Sequence, residues 1–257
     1  MATDTIASRT LSVRKEHPFL VALERAGLSD DLAQRVIESK DNELAVKVVH
    51  LIQNGGFEPT TSQKRAREIM GRNFFGVEEA IRHFGVNPTR QQVTALSEIP
   101  FSEEVLTACK AHVLVAVFPI SILEVRGRVD RKLFYSHEDA WYNKQAFAKD
   151  KGETGWALVR KTPVPNSTSK TWPEQQAILS KDEETPTARV MVYTIIGHYL
   201  ATGERLFEST YVRCLDVDSD GLRVRVGDFD AGGLGVNRYW DDGRRGRLGV
   251  SSARKSN

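Results

Sequence analysis

Asp228, Asp230, Asn237, Arg238, Tyr239, Asp241, Asp242, Arg244, Arg245 and Arg247 crowd into a short stretch near the C-terminus. Their chemistry is recognition. Tyr and Arg are enriched among residues that dominate binding energy. Tyr, Asn, Ser, Gly and Arg together make adaptable contacts at low cost in side-chain entropy. The composition around them is biased as well. Tyr211 to Ala253 contains no Lys, Glu, Gln or Met, although these types fill 42 of the first 210 positions. A strand-and-turn segment poor in helix formers shows the same bias without binding anything, so the tail reads either as a binding surface or as plain β structure.

Three other constellations bear on chemistry. Asp216, Asp218 and Asp220 followed by Gly221 match the first half of a calcium loop, where alternating carboxylates converge on the ion. Gly227 stands where the bidentate Glu belongs, so an Asp-rich hairpin turn is the better reading. Ile81 to Val93 has the form of a helix-turn-helix, with Gly85 at the turn, Pro88 opening the second helix and Thr89, Arg90 and Gln92 facing bases. Lys64, Arg65 and Arg67 add phosphate contacts to that alternative, which makes nucleic acid a partner through residues 61–95. An enzyme built on the loop Lys161 to Lys170 and His198 is the third reading. The six histidines lack metal spacing, Cys109 and Cys214 form neither a CxxC nor a zinc pattern, and no nucleophile-elbow, P-loop or dinucleotide motif is present. The sequence implies no catalytic residue, no metal and no cofactor.

Composition narrows the class. A chain of 257 residues with a net charge of +2 can bury a sizeable core, and its charge argues for neither nucleic acid nor a membrane surface. The N-terminus lacks the apolar run of a signal peptide, and no stretch nears twenty apolar residues. A cytoplasmic protein without membrane insertion is the default expectation.

The elements that must position these residues come next. Residues 1–15 read as a loose polar tail, and residues 16–100 as a helical domain ending near Pro100. Ser29 caps one helix, with Leu32, Val36 and Ile37 as its apolar stripe, and further helices cover 43–52, 61–70 and 77–84. From residue 101 the chain turns α+β. Ser102 opens a helix to Cys109, His112 to Phe118 reads as a buried strand, and Ser136 to Lys151 as a helix. Lys161 to Lys170 is a loop, Thr171 to Glu174 a capping box, and Ala188 to Ala201 a helix apolar nearly all round. The tail is β. Tyr211 to Cys214 and Leu222 to Val226 alternate with period two, placing Leu222, Val224 and Val226 inward and Arg223 and Arg225 outward. Leu234 to Tyr239 and Leu248 to Ser251 are further strands around the loop Asp241 to Arg247.

This order resembles the formylglycine-generating-enzyme-like branch of the C-type lectin fold. The resemblance rests on His112–Phe118, Ser136–Lys151, Ala188–Ala201, the tail hairpins, the run Arg238-Tyr239-Trp240-Asp241-Asp242-Gly243-Arg244 and the closing Leu248 to Arg254. It implies a C-type-lectin-like domain over 101–257 with a small twisted antiparallel sheet. Variable proteins of diversity-generating retroelements use that scaffold. In them a reverse transcriptase scrambles template adenines, and a scrambled AAC codon never yields Lys, Glu, Gln, Met or Trp. The resemblance therefore implies a diversifiable surface for a protein or surface ligand, with Trp240 a fixed core plug. The whole chain also resembles a bacterial family of hypothetical proteins.

Overall fold

The computed structural model describes residues 13–53 and 60–256, and its helices and mixed sheets make an α+β protein. The chain divides into two compact units, Met1–Glu58 and Pro59–Asn257. The first unit contains α1 (Val13–Arg25), α2 (Asp30–Ile37) and α3 (Glu43–Gln53). Ser29 caps α2 as expected, its hydroxyl accepting the Leu32 N–H. Helix begins at Val13, inside the stretch read as a loose tail. Residues 1–12 and the Asn54-Gly55-Gly56 stop signal lie outside the described residues.

The second unit runs β1 (Thr61–Ser62), α4 (Gln63–Met70), β2 (Phe74–Phe75), α5 (Val77–Phe84), α6 (Arg90–Ala95), β3 (Glu98–Ile99), α7 (Glu103–Ala108) and β4 (His112–Val117). Then follow α8 (Ile122–Arg128), α9 (Ala146–Lys149), β5 (Gly155–Arg160), α10 (Trp172–Gln176), β6 (Glu183–Glu184) and α11 (Ala188–Thr202). The last strands are β7 (Tyr211–Val217), β8 (Arg223–Asp230), β9 (Gly233–Tyr239), β10 (Leu248–Val250) and β11 (Ala253–Arg254).

Two sheets enclose α11. One has the order β2-β4-β5-β11-β6, the other β10-β7-β8-β9, in which β10 joins β7 in parallel. The tail sheet is thus mixed and not purely antiparallel. Helix α11 is buried from Ala188 to His198 except at Val190, which explains a helix apolar nearly all round. Thr187 caps it by accepting the Val190 N–H, and Asp216 Oδ2 accepts the Ala188 N–H. A carboxylate there also meets the positive end of the helix dipole. Thr187→Ala is expected to cost about 1 kcal/mol, read as a lower denaturant midpoint with an unchanged slope.

The boundary expected near Pro100 falls inside this unit, and the physical reason is β4. Every residue of β4 is buried, because both faces of its sheet are covered. Val113, Val115 and Val117 join the core around α11, whereas Leu114 packs with Ala66, Met70, Phe74, Ile99 and Leu106. Helices α4 and α7 therefore roof the second face of the sheet, and Phe74–Phe75 enters it as a strand beside Leu114 and Val115.

Ser136 to Lys151 is not one helix. Only a 3-10 turn (Trp141–Lys144) and α9 form there. Asn143 Nδ2 donates to the carbonyls of His137 and Glu138 at 2.9 and 2.7 Å, taking acceptors that a helix would need. Trp141 Nε1 bonds Val236 O at 2.9 Å, and Tyr142 and Phe147 are buried, so tertiary anchors override local propensity. Helix α8, opened by a reciprocal Ser121–Glu124 capping box, and strand β5 complete this part of the fold beyond the elements expected above.

Candidate functional site

Strand alternation splits the residues of the tail sheet between its faces. Val212, Val224, Val226 and Val236 are buried toward α11. The pairs Tyr211↔Gly227, Arg213↔Arg225, Gly227↔Gly235, Arg225↔Asn237 and Arg223↔Tyr239 occupy the other face. Leu222 is only half-buried and precedes β8, whereas Leu234 packs inward as expected.

Half of that outer face is covered. The segment Lys161 to Lys170 is a loop, as expected, and crosses β10, with Val164 N donating to Val250 O at 3.1 Å. Arg213 fastens it. This guanidinium is fully buried and donates to Lys170 O (2.9 Å), Gln175 Oε1 (2.9 Å), Trp240 O (2.7 Å) and Gly243 O (2.6 Å). Burial pushes its pKa below the usual arginine value. Beside it Arg223 makes a bidentate pair with Asp241 at 3.0–3.1 Å and lies 4.0 Å over the Trp172 ring.

The other half is open, forming a cleft of about 450 Å³ lined by Tyr211, Arg225, Asp228, Tyr239, Arg245, Gly246 and Arg247. Arg225 lies between two aromatic rings, its Cζ 4.4 Å from the centre of Tyr211 and 5.1 Å from that of Tyr239. Its Nε is buried without a hydrogen-bond acceptor. Burial lowers its pKa, and the charge of neighbouring Arg245 acts in the same direction. Arg245 Nε donates to the Tyr239 hydroxyl at 2.6 Å. Arg247 reaches Asp228 Oδ1 at 3.0 Å and Ser209 O at 2.7 Å. Two glycines make the floor. At Gly227 φ is +141° and a Cβ would strike Thr210 O; at Gly235 a Cβ would strike the Tyr211 hydroxyl. The Tyr211 ring lies where side chains of the Gly227–Gly235 pair would otherwise stand.

Four expected site residues, Asp228, Tyr239, Arg245 and Arg247, therefore meet in one cleft. The others are placed elsewhere. Asn237 is exposed on the same face, and Asp242 is exposed in the following loop. Asp230 sits at the β8–β9 turn, where Oδ1 accepts the Gly232 N–H. Asp241 is held by Arg223, and Arg244 pairs with Glu174 at 2.8 Å. Arg244 and the Thr171 N–H pull the Glu174 carboxyl down to about 2. Arg238 pairs across with Val224 and so points to the inner side, reaching Asp218 and Asp220 at the sheet's end. Trp240 is 61% exposed and no core plug, because β9 ends at Tyr239 and the chain there turns its carbonyl inward to Arg213. Tyr211, Arg225 and Gly246 were missing from the expected surface. The outward phase of Arg225 was visible in the alternation, but its place between two rings was not.

The remaining candidates look different. Asp216 serves Ala188 N, while Asp218 Oδ1 accepts the Asp220 and Leu222 N–H groups and Oδ2 pairs with Arg238, so the three carboxylates do not converge. Among the described residues no group of three metal-ligating side chains forms. Thr89 caps α6, and Thr89 and Gln92 bond each other reciprocally. The helix begins at Arg90 and not at Pro88. Arg65 pairs with Glu68 and Glu103, and Arg67 with Glu78 and Glu79. Lys161 and His198 do come together, through Glu204 at 2.6 and 3.1 Å, but His198 is 1% exposed. A larger hollow of about 700 Å³ opens between the start of β5, Glu183 to Thr187 and the first turn of α11. It has one guanidinium in its lining, Arg189, bonded to Phe118 O. A smaller hollow of about 360 Å³ gathers Arg67, Arg72, Phe74, Glu79, Arg82 and His83, but there Arg67 is paired with Glu79 and Arg72 with Glu204. The tail cleft is set apart by Arg225, held between two rings with no carboxylate within ion-pair distance among the described residues, and this makes it the candidate site.

No protein-family model, no curated protein and no solved structure matches this chain. Among the described residues no helix is long and apolar enough to cross a membrane.

Proposed function

We propose that the protein is a binding protein whose C-terminal hairpins present a recognition surface centred on the Tyr211–Arg225–Tyr239 cleft. The ligand is a protein or a surface-borne group, and the site binds without turning it over. The observation that carries this reading is Arg225, a guanidinium clasped by two rings at an open cleft with no carboxylate partner among the described residues. Holding a desolvated charge without a counter-ion costs stability, which is understandable if a ligand supplies the missing partner. The frame beneath is rigid, since Val212, Val224, Val226 and Val236 are packed against α11. Tyr and Arg above it are the usual anchors of interfaces.

The finer reading is a C-type-lectin-like scaffold with a diversified face. Its support is the tail's lack of Lys, Glu, Gln and Met. Sequencing the gene's 3′ end across one population tests it: differences confined to adenines of a nearby repeat support diversification, and an invariant tail without a repeat removes it.

Binding itself is tested by panning a random-peptide library and a glycan array against the wild type and the double variant Tyr239→Ala/Arg245→Ala. Both residues lie on an outer surface, where substitutions cost little stability. Ligands selected on the wild type are expected to bind the variant at least about tenfold more weakly, with a nearly unchanged melting temperature. Equal capture by both proteins would refute the reading.

A further inference from the structure

Of seven charged groups on and around the outer face of the tail sheet, five can be matched to partners. Arg223 has Asp241, and Arg247 has Asp228. Arg213 has four neutral acceptors (three carbonyls and Gln175). Arg225 and Arg245 remain, and among the described residues neither has a carboxylate within ion-pair distance. Arg245 bonds only the phenolic oxygen of Tyr239, and Arg225 only faces rings. Cation–π contact offsets part of a guanidinium's desolvation, but it occupies the faces of the ion and leaves its in-plane N–H donors unused. Those donors are what carboxylates and phosphates engage in pairs.

We infer that the cleft between Tyr211 and Tyr239 takes an oxyanion, a carboxylate or a phosphate group carried by the ligand, held by Arg225 and Arg245 with Arg247 at the rim. This rests on the reading of the cleft as a recognition site and adds the chemistry of what it recognises. Arg225 comes from the middle of β8, fixed on both sides by strand pairing, so it is the preset donor. Arg245 and Arg247 come from the loop between β9 and β10 and close on the anion from outside. The two rings flank the charge and keep water from competing for it. Asp228 is the one acid in the lining. Its bond to Arg247 keeps it from filling the place beside Arg225. The glycine pair below makes room, since a side chain at Gly235 would displace the Tyr211 hydroxyl.

The test is titration of the full chain with inorganic phosphate and, separately, with glutarate. Ionic strength is held constant with chloride, and the arginine Nε–Hε resonances are followed by NMR. A saturable shift with at least one of the two anions is expected, weakened at least about tenfold in Arg225→Met and about fivefold in Arg245→Gln. Arg254→Gln, a change on β11 away from the cleft, should titrate as the wild type does. Preference for phosphate points to a phosphoryl-bearing ligand, and preference for glutarate to acidic side chains. If Arg225→Met does not fold, the exposed Arg245→Gln decides. A response that does not saturate with either anion, or one unchanged in the variants, overturns the inference. The recognition reading fails separately: anions can bind while the Tyr239→Ala/Arg245→Ala variant still captures every selected ligand. Conversely, lost capture without anion binding removes the oxyanion and leaves the recognition surface.

Discussion

Replacing Arg213 with Met is expected to lower the unfolding free energy by about 3 kcal/mol, with about 5 kcal/mol as the upper end. The side chain is wholly buried and satisfies four acceptors on three different segments: Lys170, Gln175, and the Trp240–Gly243 turn. Methionine matches its length and removes an expensive buried charge, which favours the variant. It leaves Lys170 O, Gly243 O and Gln175 Oε1 without their donor, while Trp240 O keeps only the Gly243 N–H, and each unsatisfied buried group costs about 1–3 kcal/mol. The costs are not additive, because the loops relax and admit water. The net sign is still destabilising, since three carbonyls lose a donor and one cation is removed. Chemical denaturation gives the magnitude. Hydrogen exchange gives the location: amides near Trp172, whose N–H bonds Asp241 O, and near Gly243 should lose protection while α11 keeps it. A loss below about 1 kcal/mol with unchanged exchange in both loops would mean that Arg213 does not hold the cover on the sheet. The same variant should weaken anion binding in the cleft, because the loop it releases carries Arg245 and Arg247.

Stability is also expected to fall as the pH drops from 6.5 toward 4. His112 opens β4, is nearly fully buried, and has an Nδ1 without an acceptor. Burial is the largest cause of its depressed pKa, and the charge of Arg160 adds to it; together they bring the imidazole down to about 4, with Glu183 opposing and Arg254 assisting weakly. The folded state therefore favours the neutral ring. Above about 6.5 the ring is neutral in both states and its full contribution is present. Between 6.5 and 4 the unfolded chain binds the proton and the fold does not, so stability is lost as pH falls. A depression of this size corresponds to about 3 kcal/mol across the window, at one pKa unit per 1.36 kcal/mol. His198, also lowered by burial, acts in the same direction. Paired carboxylates such as Glu79, Glu183 and Asp218 are shifted below their ordinary values and lose their contribution only in more acid solution. Denaturation at pH 5 to 7 isolates the histidines. His112→Leu should flatten most of the slope, and an unchanged slope would show that the ring is not the source.

What could be read from the residues alone follows the range of the forces involved. Caps are local: Ser29, Ser102, Thr171 and Thr187 each precede a helix, because a hydroxyl or its partner Glu satisfies N–H groups within three residues. Strand phase is local too, so the outward direction of Arg223 and Arg225 was legible in a five-residue stretch. The capping box Ser121-Ile-Leu-Glu124 is equally local. Ser136 to Lys151 marks the limit of such reading: its pattern suits a helix, but Trp141 is fixed by Val236 O in the tail sheet and Asn143 by Arg126, while Tyr142 and Asn143 take carbonyls of the same stretch.

The sequence by itself determined that the chain is α+β, where most helices and tail strands lie, and that Tyr and Arg concentrate at one end. Tertiary structure alone decided that residues 61–108 roof a sheet and do not form a separate domain. It also decided that Arg213 is sealed while Arg225, its direct partner on the neighbouring strand, faces an open cleft. Both arginines lie on the same face of the sheet. What separates them is a loop more than forty residues away in sequence at Lys170, whose carbonyl finds a donor in Arg213 and none in Arg225. Periodicity fixes which face a side chain occupies, but whether that face is covered depends on hydrogen bonds between distant segments.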